Sequence, residues 1–408
     1  MPETLTKEQL GRHLARQQGF AQPFADTLTC LRSTAGLYAT APGVNIALLA
    51  RVRSFNPASL EDAIEHDKSV VRVQAMRGLL YAFPRDLVAA AFVATRSQVE
   101  GWARKLPTYD LRPEDMATYR DTVSSATLGG PATIMEIGRA MEGRLSDQGL
   151  QTLVTLLCAE GFLVRAYTKG GWRANLHAYQ RFKDWLPGLD IQGITREEAQ
   201  KRLAAAYFRA FGPATLDDFR RWSGFSDAEV DSAVGALELD TIAVEGLRDD
   251  YRYPTARAKD LKQPALPPRL VLLPPNDVYP TAYADRRRFL PEGKSVHVFD
   301  RLGNAASVVV VDGQIVGLWD HDASRRKLVV RTHLWTDVRD FDRLLAPSVD
   351  RLADLLAVQE VQMERAPLPP ALNERPPGTY ASPLKGVREE KPEKIAPRAP
   401  PGPSGPPA

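Results

Sequence analysis

Between residues 21 and 40, Phe24, Leu28, Leu31, Ala35 and Tyr38 recur every third or fourth position, the period of a helix with one buried face. Helices are therefore read over residues 5–19 and 21–40. A short helix carrying Ile46, Leu49 and Val52 follows. The next begins at Asn56-Pro57, with Asn56 as N-cap and Pro57 in the first helical position. The pattern then changes period: residues 69–74 and 79–83 are rich in β-branched and apolar side chains and read as two strands. Helices followed by a two-stranded ribbon are the order of a winged helix, in which a helix enters the DNA groove.

The same order recurs along the chain. Residues 87–104 read as helix, 105–113 as loop, and 132–142 and 147–160 as helices, with Ser146 as N-cap and Gly161 as stop. Strands are expected at 162–167 and 172–176. In the third unit a helix over 196–211 stops at Gly212-Pro213. Thr215 with Asp218 and Ser226 with Glu229 have the spacing of capping boxes. Trp222-Ser223-Gly224 makes the turn between the two helices, and 241–244 and 251–253 supply a ribbon. After a proline-rich linker at 254–268 the texture becomes β, with strands at 270–273, 295–299, 306–311, 314–320 and 327–332 and a hairpin at Asp312-Gly313. A helix over 337–363 closes the folded part. The residues from Pro367 onward hold 13 of the 32 prolines, and such a composition buries too little to fold.

The fold class expected is thus α+β. It comprises winged-helix units at 1–90, 91–190 and 191–260, a small β-barrel or sandwich at 261–345, a closing helix at 346–366 and a disordered tail at 367–408.

Composition narrows the function only a little. Lys+Arg at 53 against Asp+Glu at 50 means that a nucleic-acid surface must be a local patch. Cys30 and Cys158 lie in apolar helical contexts and read as core residues. No apolar run reaches the ~20 residues needed to span a bilayer, and the first residues lack a signal-peptide core, so a cytoplasmic protein is expected. No phosphate-cradling glycine loop and no Cys/His zinc spacing is found, so neither cofactor nor metal is expected. Asp320-His321-Asp322 is read as a solvated turn.

Six stretches carry a resemblance: LYATAP at 37–42, VVRVQAMRGLLYAFPRD at 70–86, GFLVRAYTKGGWRANLHAY, FGPATLDDFRRWSGF, LLPPNDVYP and VVVVDGQIVGLWD. In this order they resemble the tandem winged-helix family of the AlkZ and YcaQ DNA glycosylases. The resemblance covers roughly residues 5 to 345. It implies hydrolysis of the N-glycosidic bond of an alkylated purine in double-stranded DNA, without metal or nucleotide cofactor; the sequence gives no oligomeric interface, and a monomer is expected.

The family's motif of Gln, an apolar residue and then Gln or Asp falls here on Tyr38, Ala39 and Thr40. The apolar centre is kept and both amides are lost. Tyr38 and Thr40 are the candidate catalytic pair, holding a water at the anomeric carbon; the alternative is that Tyr38 is a core residue continuing the helical stripe.

Arg72, Arg77, Arg165, Lys169, Arg173, Arg220, Arg221 and Arg286 (with its neighbours Arg287 and Arg288) are the candidates for phosphate contact, being read on ribbons, helix ends and loops. Trp172 is a candidate for stacking on a base, and Asn276 and Asp277 for facing the DNA cleft. The loss of both amides keeps a second reading open, a non-catalytic lesion sensor or regulator. A third is a scaffold that offers its proline-rich tail to partner domains.

Overall fold

The computed structural model describes residues 3–374 apart from 175, 248, 249 and 325. The tail expected from 367 therefore lies, from 375 onward, outside the described residues. The described residues form a mixed α+β fold with three sheets.

The first segment runs β1 (Glu3–Leu5), α1 (Lys7–Gln17), α2 (Thr27–Ser33), β2 (Leu37–Tyr38), α3 (Gly43–Arg51), α4 (Pro57–Glu65), β3 (Val70–Gln74) and β4 (Leu80–Pro84). Thr6 and Gln9 close a capping box on α1, Asp26 caps α2, and Asn56 caps α4 with Pro57 in the first turn. The helix expected over 21–40 is much shorter. It ends at Ser33 because Ala35 and Gly36 adopt left-handed φ of 52° and 88°. A Cβ on Gly36 would stand 2.5 Å from the Phe83 ring, so the chain turns there onto β4. Tyr38 consequently lies on a strand, opposite Tyr81.

The second segment contains α5 (Arg85–Ala103), α6 (Met116–Ala126), β5 (Ala132–Thr133), α7 (Ile134–Ala140), α8 (Asp147–Ala159), β6 (Leu163–Lys169), β7 (Leu176–Arg181) and the single turn α9 (Phe182–Trp185). Ser146 caps α8 and Gly161 follows it at φ 76°. The strand expected at 172–176 begins only at Leu176, which leaves Trp172 in the hairpin turn. One six-stranded sheet, ordered β2-β4-β3-β6-β7-β5, contains the hairpins of both segments, joined where Arg72 stands beside Arg165.

The third segment has α10 (Arg196–Phe211), α11 (Leu216–Ser223), α12 (Asp227–Gly235), β8 (Leu239–Val244) and β9 (Tyr251–Pro254). Both capping boxes form, and Gly224 makes the turn at φ 73°. Strand β1 adds to this ribbon in parallel, Leu5 beside Val244. Tyr207, Phe211, Phe219 and Trp222 pack as an aromatic cluster that meets Tyr279, Tyr283 and Phe289. Full burial of each such ring is worth about 1.5–3 kcal/mol.

The last segment comprises β10 (Leu270–Leu273), the turns α13 (Val278–Thr281) and α14 (Ser295–Val298), then β11 (Val308–Val311), β12 (Gln314–Ala323), β13 (Lys327–Leu334), α15 (Phe341–Leu356) and β14 (Glu360–Arg365). In place of a barrel or sandwich there is one five-stranded sheet in sequential order, with α15 and Ile46 and Leu49 of α3 packed on it. Residues 295–299, expected as a strand, contain helix α14, and the closing helix stops early. Ala357 takes a left-handed φ of 55° and the chain returns as β14, parallel to β13. Asp320, His321 and Asp322 lie within β12, not in a turn. At the start of the expected tail, Ala371 and Leu372 are buried. One hydrophobic core runs from Leu5 through Phe83 and Phe208 to Leu318.

Candidate nucleic-acid interface

On the extended segment after Gly36, Ala39 donates its N–H to Leu80 O (2.9 Å) and continues the pairing of β2 with β4. In extended chain, residues two apart share a face. Tyr38 and Thr40 therefore point together, half-buried, while Ala39 between them is in the core. On a helix the same spacing would have put them on opposite sides. The Tyr38 ring meets Tyr81 edge-on at 6.3 Å, and Thr40 O accepts the first turn of α3 from Val44 N. Burial raises the Tyr81 hydroxyl above the usual phenol range, while the charge of Arg77 pulls the other way.

The phosphate candidates have unlike fates. Arg72 is 7% exposed. It donates to Thr168 Oγ1 and lies 3.3 Å from His177 Nδ1. Burial, then the charge of Arg165, lowers Arg72 to about 10, and the same surroundings hold His177 neutral, at about 3. Arg72 is thus an internal group and does not meet solvent as expected. Arg165 lies over the Tyr179 ring at 5.9 Å, and Lys169 is exposed at the end of β6. Arg173 stacks on Trp172 at 5.0 Å and donates to Leu356 O, while Asn45 donates to Trp172 O at 3.2 Å. The hairpin tip is docked against α3 and α15, so Trp172 packs within the protein. Arg220 pairs with Asp217 and Asp227 on the surface.

The run Arg286-Arg287-Arg288 splits three ways. Arg288 is fully buried with Asp218, donates to Pro213 O (3.0 Å), and lies over the Tyr283 ring at 4.1 Å. Arg287 pairs with Asp285 at 2.8 Å on the surface. Arg286 stacks 3.4 Å from the Phe299 centroid, donates to Ser295 Oγ and keeps a buried Nε without a partner.

Around Gly303, Arg286 meets two arginines from elsewhere. A Cβ on Gly303 would collide with Arg221 and lie 3.9 Å from Arg286 Nη2. Arg77 donates to Leu302 O at 3.5 Å. Burial, then the charge of Arg77, lowers Arg221. Burial, then Arg221, lowers Arg286 to about 10. Among the described residues, no carboxylate stands at ion-pair distance from any of the three. Three cations held together without a counter-ion repel one another and favour an anion.

Asp277, expected at a cleft, is an internal group, and Asn276 beside it is half-buried. Asp277 is buried, clamps Arg51 through contacts of 2.6 and 2.8 Å, and caps α13, while Asn276 Oδ1 accepts from Ala305 N. The pairings Arg51–Asp277 and Arg288–Asp218 were not legible in the sequence, since nothing local marks a buried ion pair between distant segments. Asp320 binds His333 (2.7 Å) and Arg331, and no cluster among the described residues has the make-up of a metal site.

No helix among the described residues is long and apolar enough to cross a membrane. No curated protein matches the chain. Among solved structures, the DNA glycosylase AlkZ of Streptomyces sahachiroi is similar, with a TM-score of 0.71 and 20% identity over 89% of this chain and 100% of that one. At that identity the likeness establishes the fold. The model of the family described as DNA glycosylase AlkZ-like matches residues 4–357, and the chain belongs to this family.

Proposed function

We propose that this chain binds double-stranded DNA and releases an alkylated purine base by hydrolysis. The segments 1–90, 91–190 and 191–260 serve as winged-helix units, with 261–345 completing the cradle, 346–366 closing it and the rest as tail. The reading rests on the convergence of Arg77, Arg221 and Arg286, which three distant segments bring to one place with no carboxylate at ion-pair distance among the described residues. Such a cluster suits a backbone phosphate. Arg77 also lies just before β4, the strand whose partner β2 carries Tyr38. A duplex held on this cluster would therefore lie near the paired faces of Tyr38 and Thr40. Cationic N7- or N3-alkylpurines leave readily, so positioning a water is a sufficient task for a pair of hydroxyls.

The test is base release from a labelled duplex carrying N7-alkylguanine, read as strand cleavage after alkali. The wild type should cleave, and the double variant Tyr38→Phe/Thr40→Ala should bind the duplex and not cleave. Unchanged release in the variant would displace the site from this pair. A second reading, recognition without chemistry, is favoured by the resemblance itself, on which two hydroxyls, Tyr38 and Thr40, fall where the family's motif has an amide pair, or an amide and a carboxylate. Binding with no release from any alkylated duplex would establish it.

A further inference from the structure

We propose a second anion site, independent of the DNA reading, in the cavity of about 710 Å³ bounded by α1, the end of α2, the start of α5, α10 and residues 255–263. Its ligand is the phosphate of a small molecule, free or carried as a monoester.

Five arginines line this cavity: Arg16, Arg32, Arg202, Arg209 and Arg257. Only Asp86 and Asp260 oppose them there, and each is already engaged, Asp86 by Arg32 at 3.2 Å and Asp260 by Arg257 at 2.8 Å. Arg202 pairs with Glu198, and Arg16 donates to Pro264 O. Arg209 has no ion pair among the described residues, and its guanidinium is the most available of the set. The lining therefore carries an excess of positive charge in a chain whose overall charge is only +3.

The second observation is His13. It is 4% exposed and lines the cavity, and neither ring nitrogen has a hydrogen bond of full geometry, the Asp260 backbone being the group that approaches it. A buried polar atom without a well-made hydrogen bond is costly, and a ligand that supplies one removes that cost. Burial and then the charge of Arg257 keep His13 neutral, with the Asp260 backbone pulling the other way. A neutral imidazole offers one N–H donor, which suits a phosphate oxygen, and one acceptor, which suits a hydroxyl. Phe24 and Leu87 give the cavity an apolar wall for an organic group. Pro84 reaches the cavity from the end of β4, whereas Tyr81, beside Tyr38, lies towards the other end of that strand.

The experiment is calorimetric titration of the full chain with AMP, glycerol 3-phosphate and inorganic phosphate. Saturable one-to-one binding is expected for at least one, and the ranking of the three tells the ester from the free ion. Arg209→Gln, an exposed change that leaves every described ion pair intact, should weaken binding about tenfold or more, as for loss of one charge-assisted contact. His13→Gln, which keeps a donor and an acceptor, should retain most of the affinity, while duplex binding should be unaffected by Arg209→Gln. No heat with any of the three, or equal affinity in Arg209→Gln, would overturn the site. Displacement of AMP by a short duplex would overturn the small-molecule assignment.

Discussion

Arg51 and Arg288 lie at one extreme of this molecule, and Arg77, Arg221 and Arg286 at the other. The first two are fully buried, each against an aspartate that is itself fully buried. The other three share a patch with no carboxylate at ion-pair distance among the described residues. The chemistry of the side chain is the same in both sets, so the difference lies in what the fold places opposite. Where an aspartate is supplied, the guanidinium is a structural cross-link between distant segments. Where none is supplied, the charge stays available to a ligand.

The largest expected effect tests the cross-links. Asp277→Ala leaves Arg51 charged and unpaired in the core and should cost about 3–5 kcal/mol, read as a fall in the urea midpoint. The double change Arg51→Met/Asp277→Leu should cost much less, because it removes both charges. A small loss in Asp277→Ala would mean that water reaches Arg51. Next in size is the open set. Replacing Arg77, Arg221 and Arg286 together by Gln should lower duplex affinity about ten- to hundredfold and reduce the salt slope by up to about three, one contact each. Stability should hold or rise, since mutual repulsion is removed. Unfolding of this variant would put the three in the first class.

The contrast extends to histidine. His13, His177 and His321 are held neutral, lowered to about 4, 3 and 4, chiefly by burial. Their unfolded forms take up protons first, so stability present above pH 6.5 is lost as pH falls from there towards the lowered values. His333, raised first by its bond to Asp320, has the opposite sign: its contribution is full below pH 6.5 and fades as pH rises through its raised value. Urea midpoints between pH 7 and 5, above the main carboxylate range, should fall on acidification, and His177→Gln should flatten the fall. The smallest effect is the control. Arg287→Gln, which removes an exposed pair beside Arg286 and Arg288, should shift stability by less than about 1 kcal/mol and leave duplex binding alone.

What could be read from the sequence was what is decided within a few residues. Asn56, Ser146, the Thr215–Asp218 and Ser226–Glu229 boxes and the Asp312-Gly313 turn all do their work locally, and all appear where their chemistry requires. The helical stripe from Phe24 to Tyr38 misled because Ala35 and Gly36 break it, and only the Phe83 ring packed against Gly36 shows why. The three fates of Arg286, Arg287 and Arg288 were equally hidden. Asp218 is 70 residues from Arg288, and Arg221 reaches Arg286 only through the tertiary fold. The strand pairs Arg72 with Arg165 and Leu5 with Val244 belong to the same class.

That last pairing has a consequence for the order of assembly. Strand β1 has its partner roughly 240 residues downstream. At about 5–20 residues per second, the ribosome needs on the order of tens of seconds to deliver that partner. Throughout that interval Glu3–Leu5 is an open edge, while the hairpin β3–β4 can already close on itself. Joining the first segment to the third through β1 therefore waits until β8 has been made.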